Sequence, residues 1–110
     1  MFINYTNHPS ASWGEKQTNE AKKYGEIRDM LFLNISPQMT IQELMKLAKE
    51  HGDNIIAGVE YEENSAVLCQ GESVFTYMLV NYLLSKKLGA HRWQSGLRNL
   101  KVLSAVSERK

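Results

Sequence analysis

Cysteine is almost missing from this chain. Cys69 is the only one, so no intramolecular disulfide can form, and a reducing compartment is expected. Long apolar runs are missing too. No stretch approaches the roughly 18 consecutive apolar residues of a membrane span. The opening Met1-Phe2-Ile3 is followed at once by polar residues, unlike the extended apolar segment of a secretory leader. These absences together lead us to expect a cytoplasmic protein without membrane contact. G-x-G-x-x-G and G-x-x-x-x-G-K-[ST] do not occur, which removes dinucleotide-binding and P-loop readings. His51 and His91 have no second ligand at i+3 or i+4, so no zinc motif is visible. We expect neither a metal nor a cofactor. No internal repeat or low-complexity linker divides the sequence.

The 110 residues make one domain, and 43% apolar with 23% charged residues is an ordinary globular composition. The net charge of +1 hides an asymmetry. Residues 1–85 carry six Lys and Arg against eleven Asp and Glu, whereas residues 86–110 carry seven against Glu108 alone. A basic end on an acidic body suits an anionic ligand, or self-complementarity between protomers. Duplex nucleic acid is not expected as a partner.

Phe2 to Tyr5 reads as a first strand. Ser12-Trp13-Gly14-Glu15 matches an S-x-x-E capping box and predicts a helix from Trp13 through Tyr24, which Gly25 ends in a left-handed conformation. Residues 26–32 read as a second strand and Pro37 marks a loop. Thr40 to Glu43 is a second capping box, with Met39 and Leu44 at staple spacing. Ile41, Leu44, Met45 and Ala48 then fall on one helical face, with a break expected at Gly52 and a weakened continuation through Val59. Ala66 to Cys69 is a short apolar run suited to a strand covered on both faces. Ser73 to Leu88 is apolar nearly all round and predicts a buried helix, ended by Gly89. After a polar, basic loop at residues 90–99, residues 100–106 read as the last strand. This β-α-β-α-β-α-β order predicts an α/β fold, a small doubly wound Rossmann-like domain with a mainly parallel sheet of about four strands. The exposed sheet edges and the apolar third helix suggest a homodimer.

Ligands of open α/β sheets bind beyond the carboxyl ends of the strands. The residues there are Thr6 to Ser10, Gln70 to Ser73, and Ser107 to Lys110. The Gln70-Gly71-Glu72-Ser73 turn opens a helix whose free amides suit phosphate. The competing reading is a plain turn with Ser73 as cap, and Glu72 can itself occupy the amides. His8 is a candidate acid, base or donor to an anionic oxygen, against a structural role in its loop. Cys69 reads as inert core. Trp13 reads as packing at the first helix or as a platform for a base. Trp93, among His91, Arg92 and Arg98, reads as a nucleotide surface or a dimer contact.

The Asn-His-Pro-Ser loop, Glu15-Lys16-Gln17 opening a helix that closes at Tyr24-Gly25, Gln70-Gly71-Glu72 before the long helix, and the terminal Ser-Ala-Val-Ser-Glu-Arg together resemble the small CRISPR-associated Rossmann-like proteins of the CARF and ring-nuclease group. That resemblance implies a homodimer binding a cyclic oligoadenylate second messenger across its two-fold interface. It also implies possible metal-independent cleavage, in which a ribose 2′-hydroxyl attacks the adjacent phosphate to leave a 2′,3′-cyclic phosphate. The matching positions are His8 and Ser10 as catalytic residues, with Asn7, Gln70, Gly71, Ser73, Ser107 and Arg109 as ligand-binding residues. Two other classes stand beside it. One is a non-enzymatic interaction module docking through its basic end. The other is a small hydrolase or transferase pairing His8 with Glu72 or Glu108.

Overall fold

A computed structural model describes residues 1–30 and 35–104. Its elements are β1 (Phe2–Thr6), a single 3-10 turn (Ser10–Ser12), α1 (Glu15–Lys22), β2 (Ile27–Asp29), α2 (Ile41–Val59), β3 (Ala66–Gln70), α3 (Ser73–Leu88), the one-turn α4 (Ser95–Arg98) and β4 (Lys101–Ser104). The four strands form one sheet in the order β2-β1-β3-β4. All three pairings are parallel, with Phe2 opposite Ile27 and Ala66, and Ala66 opposite Lys101. The fold is therefore the expected α/β arrangement. Because β1 and β3 are neighbours, the chain leaves β1 in one direction for β2 and returns across it to β3. The seam between their carboxyl ends is the switch point of the sheet.

Successive side chains of a strand point to opposite faces. Ile3, Tyr5, Val67 and Cys69 accordingly join Leu44, Ala48, Ile55 and Val59 of α2 and Phe75, Leu79 and Leu83 of α3 in the main core. Phe2 and Ala66 face the other way and meet Ala21 of α1, with Trp13, Tyr24, Ile27 and Leu68 around them. One face is sealed by two long helices, the other by a single helix of eight residues.

The second capping box forms in full: Thr40 accepts from the Glu43 amide at 3.1 Å, and Glu43 from the Thr40 amide at 2.8 Å. The first does not. The Ser12 hydroxyl donates instead to the Pro9 carbonyl at 2.7 Å, and α1 starts after Gly14, which offers no side-chain cap. The Ser12 amide and hydroxyl both turn back to the Pro9 carbonyl within the 3-10 turn, a local competitor of the helix start. Gly25 is left-handed as expected, at φ 102°. The expected break at Gly52 is absent and α2 runs unbroken from Ile41 to Val59. Gly52 is buried, and a Cβ there would lie 2.5 Å from the Tyr82 ring of α3, so the glycine admits α3 where a helix propensity scale sees only a weakness. Helix α3 is not buried all round. Phe75, Leu79 and Leu83 are inside, while Tyr77 and Leu88 are 70% and 89% exposed. Within the described residues the expected second strand spans only Ile27–Asp29 and the last only Lys101–Ser104; residues 31–34 and 105–110 lie outside them.

Candidate functional site at the carboxyl edge of the sheet

The loop after β1 is held from below by a strand residue, Asn4, which is 1% exposed. Its side-chain amide donates to the His8 carbonyl at 2.8 Å and to Asp29 Oδ1 at 2.9 Å. The Thr6 hydroxyl donates to Asn4 Oδ1 at 2.8 Å and accepts the His8 amide at 3.0 Å. Asp29, at the end of β2, takes the Ser10 amide at 3.2 Å and the Ser10 hydroxyl at 3.1 Å. The Asn4 amide above all, with the Ser10 amide and hydroxyl, holds the Asp29 carboxyl below its ordinary range, against an opposing desolvation. The Asp29 carboxylate thus ties the loop to a neighbouring strand, and the loop leaves the rim in a defined shape.

Above this brace lies a pocket of about 280 Å³ lined by Thr6, His8, Ser12, Trp13, Gln17, Leu68 and Gln70. Each element contributes for a geometric reason. Thr6 and Gln70 are the paired last residues of β1 and β3, so the switch point is the floor. Leu68 lies two residues before Gln70 and shares its face. Gln17 comes from the first turn of α1. Trp13 packs edge-on against Phe2, with ring centroids 5.8 Å apart at 88°, which fixes one wall. No Asp, Glu, Lys or Arg is among the lining residues. Its chemistry is carboxamide, hydroxyl, imidazole and aromatic, suited to an uncharged polar and planar group.

Of the residues the sequence singled out, His8 and Gln70 come together in this pocket. Ser10 sits beside it, engaged by Asp29. Asn7 is exposed on the loop, and Gly71 and Ser73 are exposed on the turn after Gln70; none of the three lines the pocket. The cap of α3 is Glu72 and not Ser73: its carboxylate accepts the Phe75 amide at 2.7 Å. The amides that suit a phosphate therefore already face a carboxylate. Among the described residues, the His8 imidazole makes no hydrogen bond to a carboxylate. Ser107, Glu108 and Arg109 lie outside the described residues.

Sequence reasoning missed Asn4, Asp29 and Leu68, placed Thr6 on the rim without a role, and gave Gln17 no role of its own. One signal was available for the brace: an asparagine in a strand, where it is disfavoured, two residues from a threonine on the same face.

A second constellation sits under the sheet. Tyr5 is fully buried, and its hydroxyl meets His51 Nδ1 of α2. The imidazole also lies edge-on to Phe75, with ring centroids 5.8 Å apart. A neutral His51 accepting at Nδ1 carries its proton on Nε2. Burial lowers the His51 pKa, opposed by Glu50, and raises that of Tyr5, helped by Cys69. The Cys69 thiol is pushed up to about 12 by burial, as expected for inert core. At the other end of the molecule Trp93 is 76% exposed and stacks on His91, centroids 5.4 Å apart and 9° from parallel. Among the described residues no three His, Cys, Asp or Glu converge to hold a metal ion, and no helix is long and apolar enough to cross a membrane.

No curated protein and no solved structure gives a significant match to the chain. A family model does, over residues 1–110, and on that match the chain belongs to the uncharacterized protein MJ1673 family.

Proposed function

We propose that the protein binds a nucleotide of the oligoadenylate class, one nucleoside seated in the carboxyl-edge pocket of each chain. The observation that carries this reading is the lining itself. Gln17 and Gln70 offer paired donors and acceptors to a base edge, Trp13 offers a π-face, and Thr6 and Ser12 offer hydroxyls, with no charged side chain among the lining residues. About 280 Å³ lies at the small end of ligand pockets. That volume suits one nucleoside and leaves the remainder of a larger nucleotide, cyclic oligoadenylate included, along the rim. The phosphates then lie outside the neutral pocket, away from the amides that Glu72 occupies.

For a bound ring, His8 at the pocket wall is the group placed to take the proton of the ribose 2′-hydroxyl as its oxygen attacks the adjacent phosphorus. The P–O5′ bond breaks, the 5′-oxygen takes a proton from water, and a 2′,3′-cyclic phosphate is left. Titration calorimetry with cyclic tetra-adenylate, cyclic hexa-adenylate and AMP tests binding, and chromatography of the same mixtures tests turnover. We expect micromolar binding that falls at least about tenfold in Trp13→Ala, equivalent to about 1.4 kcal/mol. Linear products should depend on His8. Absence of binding to all three probes overturns the reading.

A further inference from the structure

The outward face of α3 carries Val74, Tyr77, Asn81, Leu84 and Leu88, at alternating spacings of three and four. This is the 3.5-residue period of a helix–helix seam, and Asn81 stands at its centre. All five are exposed, Tyr77 at 70% and Leu88 at 89%. From Ser73 to Ser85 the helix has no charged residue, so along most of its length this face offers water nothing to solvate except Asn81 and a tyrosine hydroxyl. The charges lie at the ends, Glu72 before the first turn and Lys86 and Lys87 in the last. Beside the last turn lies a groove of about 490 Å³ lined by Leu84, Lys87, Leu88 and Arg98.

We infer that this face is where a second copy of the chain docks, with the two α3 helices antiparallel about a two-fold axis at Asn81. Turned in that way, Asn81 meets its own counterpart and the two carboxamides can pair. Val74 comes against Leu88 of the second copy, and the protruding Tyr77 comes against the groove at Leu84. The Glu72 end of each helix lies at the Lys86–Lys87 end of the other, and the helix dipoles oppose. A parallel arrangement would instead bring the lysines of one copy to those of the other and leave the groove facing its own duplicate. Self-pairing by a single symmetric patch is the usual form of a closed dimer. The seam is about 21 Å long at 1.5 Å per residue.

This inference goes beyond the nucleotide reading and does not rest on it. It does have a consequence for that reading. Helix α3 runs back along the sheet from the rim, so antiparallel α3 helices set the two rims at opposite ends of the dimer. Each pocket then opens alone, and nucleotide binds at one site per chain without bridging the interface.

Sedimentation velocity of the full chain across a concentration series tests the dimer without any ligand. We expect a reversible dimer, weakened at least tenfold by Leu88→Asp, with an unchanged circular dichroism spectrum. Disulfide trapping tests the orientation. Under mild oxidation Asn81→Cys should form a linked dimer, and Val74→Cys should link to Leu88→Cys in a mixture more readily than to itself. A chain that stays monomeric throughout, a dimer indifferent to Leu88→Asp, or Val74→Cys linking chiefly to itself overturns the inference.

Discussion

The two faces of the sheet are built from the same four strands and have opposite characters. On one, α2 and α3 close over Ile3, Tyr5, Val67 and Cys69, all at 0–1% exposure. On the other, α1 covers Phe2 and Ala66 but leaves Leu68 half-buried and Leu103 39% exposed. The pocket lies on this thinner side, where Thr6, Leu68 and Gln70 point. The close-packed core and the pocket thus lie on opposite faces. A sheet open on both sides would bury too little apolar surface to hold itself together.

The sharpest way to break this comparison is to cut each face in turn. Leu79→Ala on the sealed face removes a fully buried side chain and should cost about 3 kcal/mol in urea unfolding. Trp13→Ala on the open face should cost well under half of that and act mainly on nucleotide binding. Equal losses would mean that the faces are not divided as described.

A smaller effect probes the polar contact within the sealed face. Tyr5→Phe leaves His51 Nδ1 without its donor and should cost about 1–2 kcal/mol. The same contact has a pH signature. Burial holds the folded-state His51 pKa below its ordinary value, so the unfolded chain binds more protons as the pH falls from about 6.5 towards the folded-state value. The contribution of His51 is complete above that window and is lost as pH falls through it. Denaturation midpoints should therefore drop on acidification, less steeply in Tyr5→Phe, because the neutral ring there has lost the hydrogen bond that favours it.

The smallest effects separate the two capping motifs, one under each face. Thr40→Ala removes a cap that forms and should cost about 1 kcal/mol. Ser12→Ala removes a hydroxyl that caps no helix and should cost only a few tenths by the same measure. A larger loss at Ser12 than at Thr40 would mean that the 3-10 turn, not α2, is the better anchored start.

Which parts were legible beforehand follows from the range of each signal. The order of strands and helices could be read because hydrophobic period and turn residues are local. The Thr40 box was legible because its partners are three residues apart. The Ser12 box matches the same pattern, yet the Pro9 carbonyl competes for the hydroxyl. Gly52 misled because the reason for it lies on α3, in the Tyr82 ring. Gly96 shows the same effect: a Cβ there would stand 2.3 Å from the Glu60 carbonyl oxygen, a closeness that only docking of α4 on the end of α2 creates. At the rim, His8 and Gln70 could be chosen from topology alone. Asn4 and Asp29 could not, because 25 residues separate two side chains that lie 2.9 Å apart.

By itself, then, the sequence determined an α/β chain with parallel strands and a polar rim, since periodicity, glycines and short apolar runs act over a few residues. Only the tertiary structure decided which rim residues share a pocket and which face of α3 stays outside. Those are matters of contact between distant segments, and packing geometry settles them where no local pattern reaches.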